Sequence, residues 1–189
     1  MTRGEMVSAI RKKRLMDQFV KDRPVRNHVV AAPTNLIRDP IAGCVAIALV
    51  RHADSRGQLI ELLTTRGEAE VDIPHVYQVF AEPGSVRGWV YHAEQTDRLA
   101  YTNGQLRVIL HDIREDSPTF GRTNELMVGE DNPLLLFIPP FVAHILENIG
   151  ETLATFVNLP SRAWDPTNPD KYRLPMVDGI LPYPERTRR

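Results

Sequence analysis

Short apolar runs separated by turn-forming residues dominate the chain between residues 45 and 159. Runs of this length, bounded by Gly, Pro, Asn and Asp, are typical of β-strands. The strands predicted in this way cover residues 45–50, 58–64, 76–81, 88–92, 99–102, 105–111, 125–128, 134–138, 144–147 and 154–159. Asn103-Gly104 lies between two of these runs and is the strongest hairpin signal in the chain. Because no helical stretch interrupts the series, we predict an all-β, antiparallel jelly-roll.

The first 27 residues differ from this pattern. They carry eight basic residues against three acidic ones, and apolar residues such as Val7, Ile10 and Phe19 form a rough helical stripe. We predict a short, basic, helical extension over residues 1–27 and one β-domain over residues 28–189. A solvated helix face is the favoured interpretation of the basic run at residues 11–14, because four basic residues are a weak nucleic-acid signal.

Composition narrows the class of protein. The 189 residues are 42% hydrophobic and carry a net charge of −1, so the chain offers no overall field for nucleic acid or for an anionic membrane. No apolar run is long enough to cross a bilayer. The single cysteine, Cys44, excludes an intramolecular disulfide. We therefore expect a soluble, cytoplasmic protein.

The spacing of residues in two motifs is typical of the cupin type of jelly-roll. Five residues separate Gly84 from the segment Val90-Tyr91-His92, and His144 is followed four residues later by Asn148. These spacings match the two cupin motifs, except that Val90 stands where the first motif has a histidine and Phe141 where the second has a glycine. Alternation along a strand predicts that Val90 and His92 face the same side, toward the interior of the barrel.

Longer motifs resemble dTDP-4-dehydrorhamnose 3,5-epimerases. They are Arg87-Gly88-Trp89-Val90-Tyr91-His92, the segment from Asp112 to Gly121 with its Ser-Pro-Thr-Phe-Gly, and Ile138-Pro-Pro-Phe-Val-Ala-His144. The resemblance covers about residues 40 to 185. It implies a homodimeric cupin, without metal or organic cofactor, that binds a nucleoside-diphosphate 4-keto-6-deoxyhexose. In such a protein a base removes a proton beside the ketone, and a tyrosine protonates the opposite face.

The resemblance assigns roles to individual residues. His92 and His144 are the candidate acid–base residues, and Arg98 lies where the family has the lysine that stabilises the enolate. The implied substrate-binding residues are Arg56, Glu61, Gln78, Arg87 and Trp164. Val90 takes the position of the family's catalytic histidine, and Trp164-Asp165-Pro166 takes that of its Tyr-x-Pro. The acidic partner that orients the histidine would lie near Asp170 or Asp178.

These departures leave three hypotheses open. The first is a nucleotide-sugar epimerase of altered chemistry, such as a single-centre epimerase or a ketoisomerase. The second is a catalytically silent protein that binds the nucleotide sugar, because valine cannot accept a proton. The third is a metal-dependent cupin in which His92, His144 and a carboxylate such as Asp97 hold the ion.

Overall fold

The computed structural model describes residues 2, 4–5, 18–22, 35–64, 71–175 and 180–184. Its strands are β1 (Val45–Ala48), β2 (Arg51–Asp54), β3 (Gly57–Ile60), β4 (Tyr77–Ala81), β5 (Val86–Tyr91), β6 (Asp97–Asn103), β7 (Gln105–Asp112), β8 (Thr123–Gly129), β9 (Leu134–Ile138), β10 (Val142–Asn148), β11 (Ala154–Asn158) and β12 (Tyr172–Arg173). The described part of the chain contains no helix long and apolar enough to span a membrane.

The strands form two antiparallel sheets of five, as the jelly-roll prediction requires. One sheet has the order β1-β9-β6-β11-β4, and the other has the order β12-β5-β10-β7-β8. Strands β2 and β3 form a separate hairpin. Apolar side chains from both sheets, including Leu99, Val108, Leu136 and Phe156, fill the space between them. Burial of this shared apolar surface is the main force that holds the two sheets together.

The pairing of the strands depends on distant residues. The strand at Gly57–Ile60 pairs with Arg51–Asp54, whereas the apolar run that begins at Val45 pairs with β9. Asn103-Gly104 does not close a hairpin, because β6 and β7 lie in different sheets and are not paired. Gly104 has a φ of 73°, and a Cβ there would lie 2.4 Å from that of Ala154. The glycine is therefore needed where the chain turns from one sheet into the other.

The chain divides into two compact units, Met1–Val30 and Ala31–Arg189. Most of the predicted helical extension over residues 1–27 lies outside the described residues, so its helix and its boundary stay predictions. The second unit carries all of the strands.

The family-like motif that begins at Asp112 has a structural role. The Asp112 carboxylate is fully buried and accepts two hydrogen bonds from the Arg114 guanidinium, at 2.7 and 2.9 Å. The hydroxyls of Ser117 and Thr119 each donate to its second oxygen at 2.6 Å. Burial alone would raise the pKa of Asp112, but the Arg114 guanidinium and the two hydroxyls hold it far below its ordinary value. The motif therefore stabilises the loop between β7 and β8.

Candidate active site

A buried carboxylate, Asp97, lies at one end of the barrel, where β6 begins. The residue is only 3% exposed. The Oδ1 atom accepts hydrogen bonds from the side-chain amides of Gln95, at 2.6 Å, and Asn158, at 2.8 Å. These two donors satisfy one oxygen and fix the plane of the carboxylate, so that Oδ2 is left for other partners.

Two histidines point toward that second oxygen. The Nε2 atom of His144, on β10, lies 3.4 Å from Oδ2 of Asp97, and the Nε2 atom of His92 lies 3.5 Å from it. The Nδ1 atom of each ring contacts a backbone carbonyl, that of Val142 for His144 and that of Asp170 for His92. A carbonyl only accepts, so each Nδ1 carries a proton and each Nε2 is the basic nitrogen.

The environment favours the neutral form of His144. Burial lowers the pKa of His144, and the nearby Asp97 carboxylate opposes that shift only in part. The positive charge of Lys171 acts in the same direction as burial. His144 therefore has a free lone pair near neutral pH, as a general base requires.

Asp170 positions the loop that carries His92 and Gln95. Its carboxylate accepts hydrogen bonds from the backbone N–H groups of Ala93, Glu94 and Gln95 at 2.8–3.0 Å. Its carbonyl oxygen accepts from Nδ1 of His92. The segment that follows forms β12 and pairs with β5. Asp170 therefore fixes the ring of His92 and the backbone of Gln95, whose side-chain amide binds Asp97. Asp178, the other predicted acidic partner, lies outside the described residues.

Two cavities meet at this cluster. A cavity of about 360 Å³ inside the barrel is lined by Asp97, His144 and Val90 together with apolar side chains of both sheets. An outer cavity of about 410 Å³ is lined by His92, Gln95 and Trp164. Both volumes are in the range of small-ligand sites. Three side chains line both cavities, namely Tyr77, Lys171 and Arg173. An elongated ligand with two chemically different ends matches this arrangement.

Positive charge is concentrated where the cavities meet. Arg87 lines the barrel cavity, and Lys171 and Arg173 line both. Burial lowers the pKa of Lys171, and the charges of Arg173 and Arg87 lower it further. Cations that repel one another in this way bind an anion favourably, because the anion relieves the repulsion.

Comparison with known proteins identifies the family. The model of the dTDP-4-dehydrorhamnose 3,5-epimerase family matches residues 38–174. This chain belongs to that family. It is 36% identical over 144 residues to the spore coat polysaccharide biosynthesis protein SpsL of Bacillus subtilis, an alignment that covers 75% of this chain and 93% of SpsL.

Solved structures in the family share the fold. The dTDP sugar isomerase of Desulfovibrio desulfuricans superimposes with a TM-score of 0.70 at 26% identity, over 76% of this chain and 91% of that one. The 3'-monoepimerase ChmJ of Streptomyces bikiniensis, solved in complex with dTDP-quinovose, superimposes with a TM-score of 0.64 at 19% identity, over 78% and 81% of the two chains. The jelly-roll cupin fold and the family resemblance are thus confirmed.

Four of the eight site residues expected from the epimerase family line the two cavities. His144 and Arg87 line the barrel cavity, and His92 and Trp164 line the outer one. Trp164 is 67% exposed, so it stands at the rim of the outer cavity. The roles of these four residues stay predictions, but their positions bring them to one site.

The other four expected residues lie elsewhere in this chain. Arg98 alternates with Asp97 along β6 and donates to the backbone carbonyl of Asp72 at 2.8 Å, so it does not line either cavity. Asp97 is the residue of this strand that faces the barrel at that point. Gln78 is exposed and outside both cavities, since it alternates with the inward Tyr77. Arg56 lies in the β2–β3 hairpin against Asp54, and the half-buried Glu61 follows that hairpin.

Val90, which stands where the resemblance expects a histidine, lies beside the cluster of Asp97, His92 and His144. It pairs directly with His144 across β5 and β10, and both residues line the barrel cavity. The sequence predicts that Val90 and His92 face the same interior. In the structure Val90 lines the inner cavity, whereas His92, which lies just beyond the end of β5, lines the outer cavity. Of these two imidazoles, that of His144 lines the same cavity as Val90.

Sequence reasoning missed Tyr77, Lys171 and Asn158, and considered Asp97 only as a metal ligand. In the sequence, Asp97 and Asn158 are marked only by their positions at the ends of two apolar runs. A polar side chain at such a position can face the interior of the barrel. The described residues contain no group of three or more His, Cys, Asp or Glu side chains arranged to hold a metal ion. The metal-dependent hypothesis therefore rests on the spacing of the histidines alone.

Proposed function

We propose that this family member is a nucleotide-sugar epimerase or isomerase that acts beside the ketone of a nucleoside-diphosphate 4-keto-6-deoxyhexose, with His144 as the base. The observation that carries the proposal is the presentation of one fixed carboxylate oxygen of Asp97 to the basic nitrogens of both histidines. This arrangement supplies a base inside the barrel cavity and a route by which its proton can leave.

The proposed reaction consists of proton transfers and needs no oxidant or reductant. Nε2 of His144 removes a proton from the carbon beside the ketone, and the electrons of that C–H bond form the enolate. The negative charge develops on the ketone oxygen, where the cations Lys171 and Arg87 face the same cavity. Asp97 then accepts the proton from His144 and passes it to His92, which lines the outer cavity. Return of a proton to the carbon restores the ketone.

The outer cavity suits the nucleotide half of the substrate. Arg173 and Lys171 lie at the junction, where they meet a diphosphate group, and the Trp164 ring at the rim offers a flat apolar surface for a base. The solved complex of ChmJ with dTDP-quinovose supports a ligand of this class. The similarity to SpsL supports a place in polysaccharide biosynthesis. Homodimer formation stays a prediction of the resemblance.

The test is proton NMR of nucleoside-diphosphate 4-keto-6-deoxyhexoses incubated with the protein in deuterated water. We expect the signal of H3 or H5 to disappear faster than in a control without protein, and the carbon that exchanges identifies the reaction. Saturable binding without exchange at either carbon would contradict catalysis.

A silent nucleotide-sugar-binding protein is the second candidate, and Val90 is the observation that favours it. Under this hypothesis the ligand raises the melting temperature of the protein but no hydrogen exchanges. The variant Val90→His then separates the two cases, because it returns an imidazole to the family position. Exchange that is present only in Val90→His would favour the silent protein over the epimerase.

A further inference from the structure

Tyr77 presents a phenol to the barrel cavity from the sheet opposite His144. It begins β4, in the sheet that faces the one containing β10, and it lines both cavities. Its hydroxyl oxygen accepts a hydrogen bond of 2.8 Å from the side-chain amide of Asn158. The same amide donates to Oδ1 of Asp97. In this chain of bonds the hydroxyl of Tyr77 acts only as an acceptor, so its own proton is available to a ligand.

We propose that Tyr77 is the proton donor that completes epimerisation, on the face of the sugar opposite His144. This inference rests on the proposed function. In the step, the phenol O–H bond breaks, its proton bonds to the enolate carbon, and the enolate electrons restore the ketone. The phenolate that remains accepts the Asn158 hydrogen bond and regains a proton from solvent. Because Tyr77 is 37% exposed and lines the outer cavity, solvent reaches it.

The surroundings of Tyr77 suit a donor better than those of Tyr101, the other tyrosine of the barrel cavity. Tyr101 is fully buried, and its hydroxyl has no hydrogen-bond partner in the described structure. Burial raises its pKa well above the ordinary value. Burial and the charge of Asp97 also raise the pKa of Tyr77, but there the Asn158 hydrogen bond and the Arg87 charge stabilise the phenolate and offset part of that rise. Removal of a proton therefore leaves an unsupported charge at Tyr101 and a supported one at Tyr77.

The distinguishing experiment measures label exchange and stereochemical inversion separately in Tyr77→Phe. This variant keeps the ring but loses the donor. His144 can still remove a proton and return deuterium to the same face, so we expect exchange within about threefold of the wild-type rate. Formation of the inverted sugar, followed by NMR coupling constants, should fall by at least about 100-fold, the usual contribution of a general acid. Tyr91→Phe is the matched control, because Tyr91 stacks on Tyr172 and Phe141 outside both the barrel and the outer cavity.

Several results would overturn this assignment. Inversion at the wild-type rate in Tyr77→Phe would do so, as would loss of inversion in Tyr101→Phe with Tyr77→Phe unaffected. Loss of both exchange and inversion in Tyr77→Phe would place Tyr77 elsewhere in the chemistry. If wild-type protein exchanges no hydrogen, the proposed function fails and this inference fails with it. Wild-type exchange combined with normal inversion in Tyr77→Phe refutes only the role of Tyr77.

Discussion

The substitution Asp97→Asn removes one negative charge from the cluster and keeps its shape. The retained oxygen still accepts from Gln95 and Asn158. The new amide group takes the place of Oδ2 and donates to Nε2 of both histidines. The Nε2 lone pair of each neutral imidazole then accepts a hydrogen bond from this amide. The variant thus tests whether the charge of Asp97 is required, without a change in packing.

The expected loss of activity in Asp97→Asn can be worked out from the distance between Asp97 and His144. One carboxylate and one imidazolium at 3.4 Å attract each other by about 5 kcal/mol at an effective dielectric constant of about 20. Only the share of this attraction that develops in the transition state, as His144 becomes protonated, changes the rate. We therefore expect a loss of about 3–4 kcal/mol of transition-state stabilisation, or a roughly 100- to 1,000-fold slower exchange.

Deuterium exchange beside the ketone is the assay, and the melting temperature is the accompanying measurement. We expect the melting temperature of Asp97→Asn to stay the same or rise, because a buried carboxylate is costly. Asp116→Asn, at an exposed position in the loop after β7, is the control that should leave both quantities unchanged. An exchange rate in Asp97→Asn within about threefold of wild type would refute the role given to this carboxylate.

Further predictions concern pH, stability and thiol reactivity. Since burial lowers the pKa of His144, the acid limb of the kcat/KM profile should lie below the ordinary histidine value of about 6.5; a limb above it would contradict the neutral base. Asp112→Asn should reduce the free energy of urea unfolding by about 3–5 kcal/mol, and a loss under about 1 kcal/mol would contradict its role in the loop. Because the pKa of Asp112 is lowered by folding, this stabilisation is complete above about pH 4 and is lost as the pH falls further. Burial raises the pKa of Cys44 to about 12, so a thiol reagent at pH 8 should modify the protein only after unfolding.

The fold was predictable because its signals are local. Strands such as Leu134–Ile138 coincide with the apolar runs that predicted them. The pairing of strands depends on contacts between distant residues, so Asn103-Gly104 was misread as a hairpin although it joins the two sheets. A local motif identifies a turn but not the sheet to which the next strand belongs.

The site was predictable only where a motif marked it. His92, His144 and Arg87 belong to recognised spacings and lie at the cavities. Arg98 was expected at the family's lysine, but the side chain that faces inward belongs to its neighbour Asp97, and a difference of one residue reverses the face of a strand. Tyr77 belongs to the opposite sheet, so only the packing of the two sheets brings it to the site.

The most direct test of the central claim compares the rate of hydrogen exchange beside the ketone in wild type, His144→Gln and His92→Gln. We predict measurable exchange in wild type and a loss of at least about 100-fold in His144→Gln, because a general base contributes that much or more. His92→Gln should have a smaller effect, because His92 receives the proton only through Asp97. Wild-type exchange that persists unchanged in His144→Gln would contradict the account, because the base would then lie elsewhere.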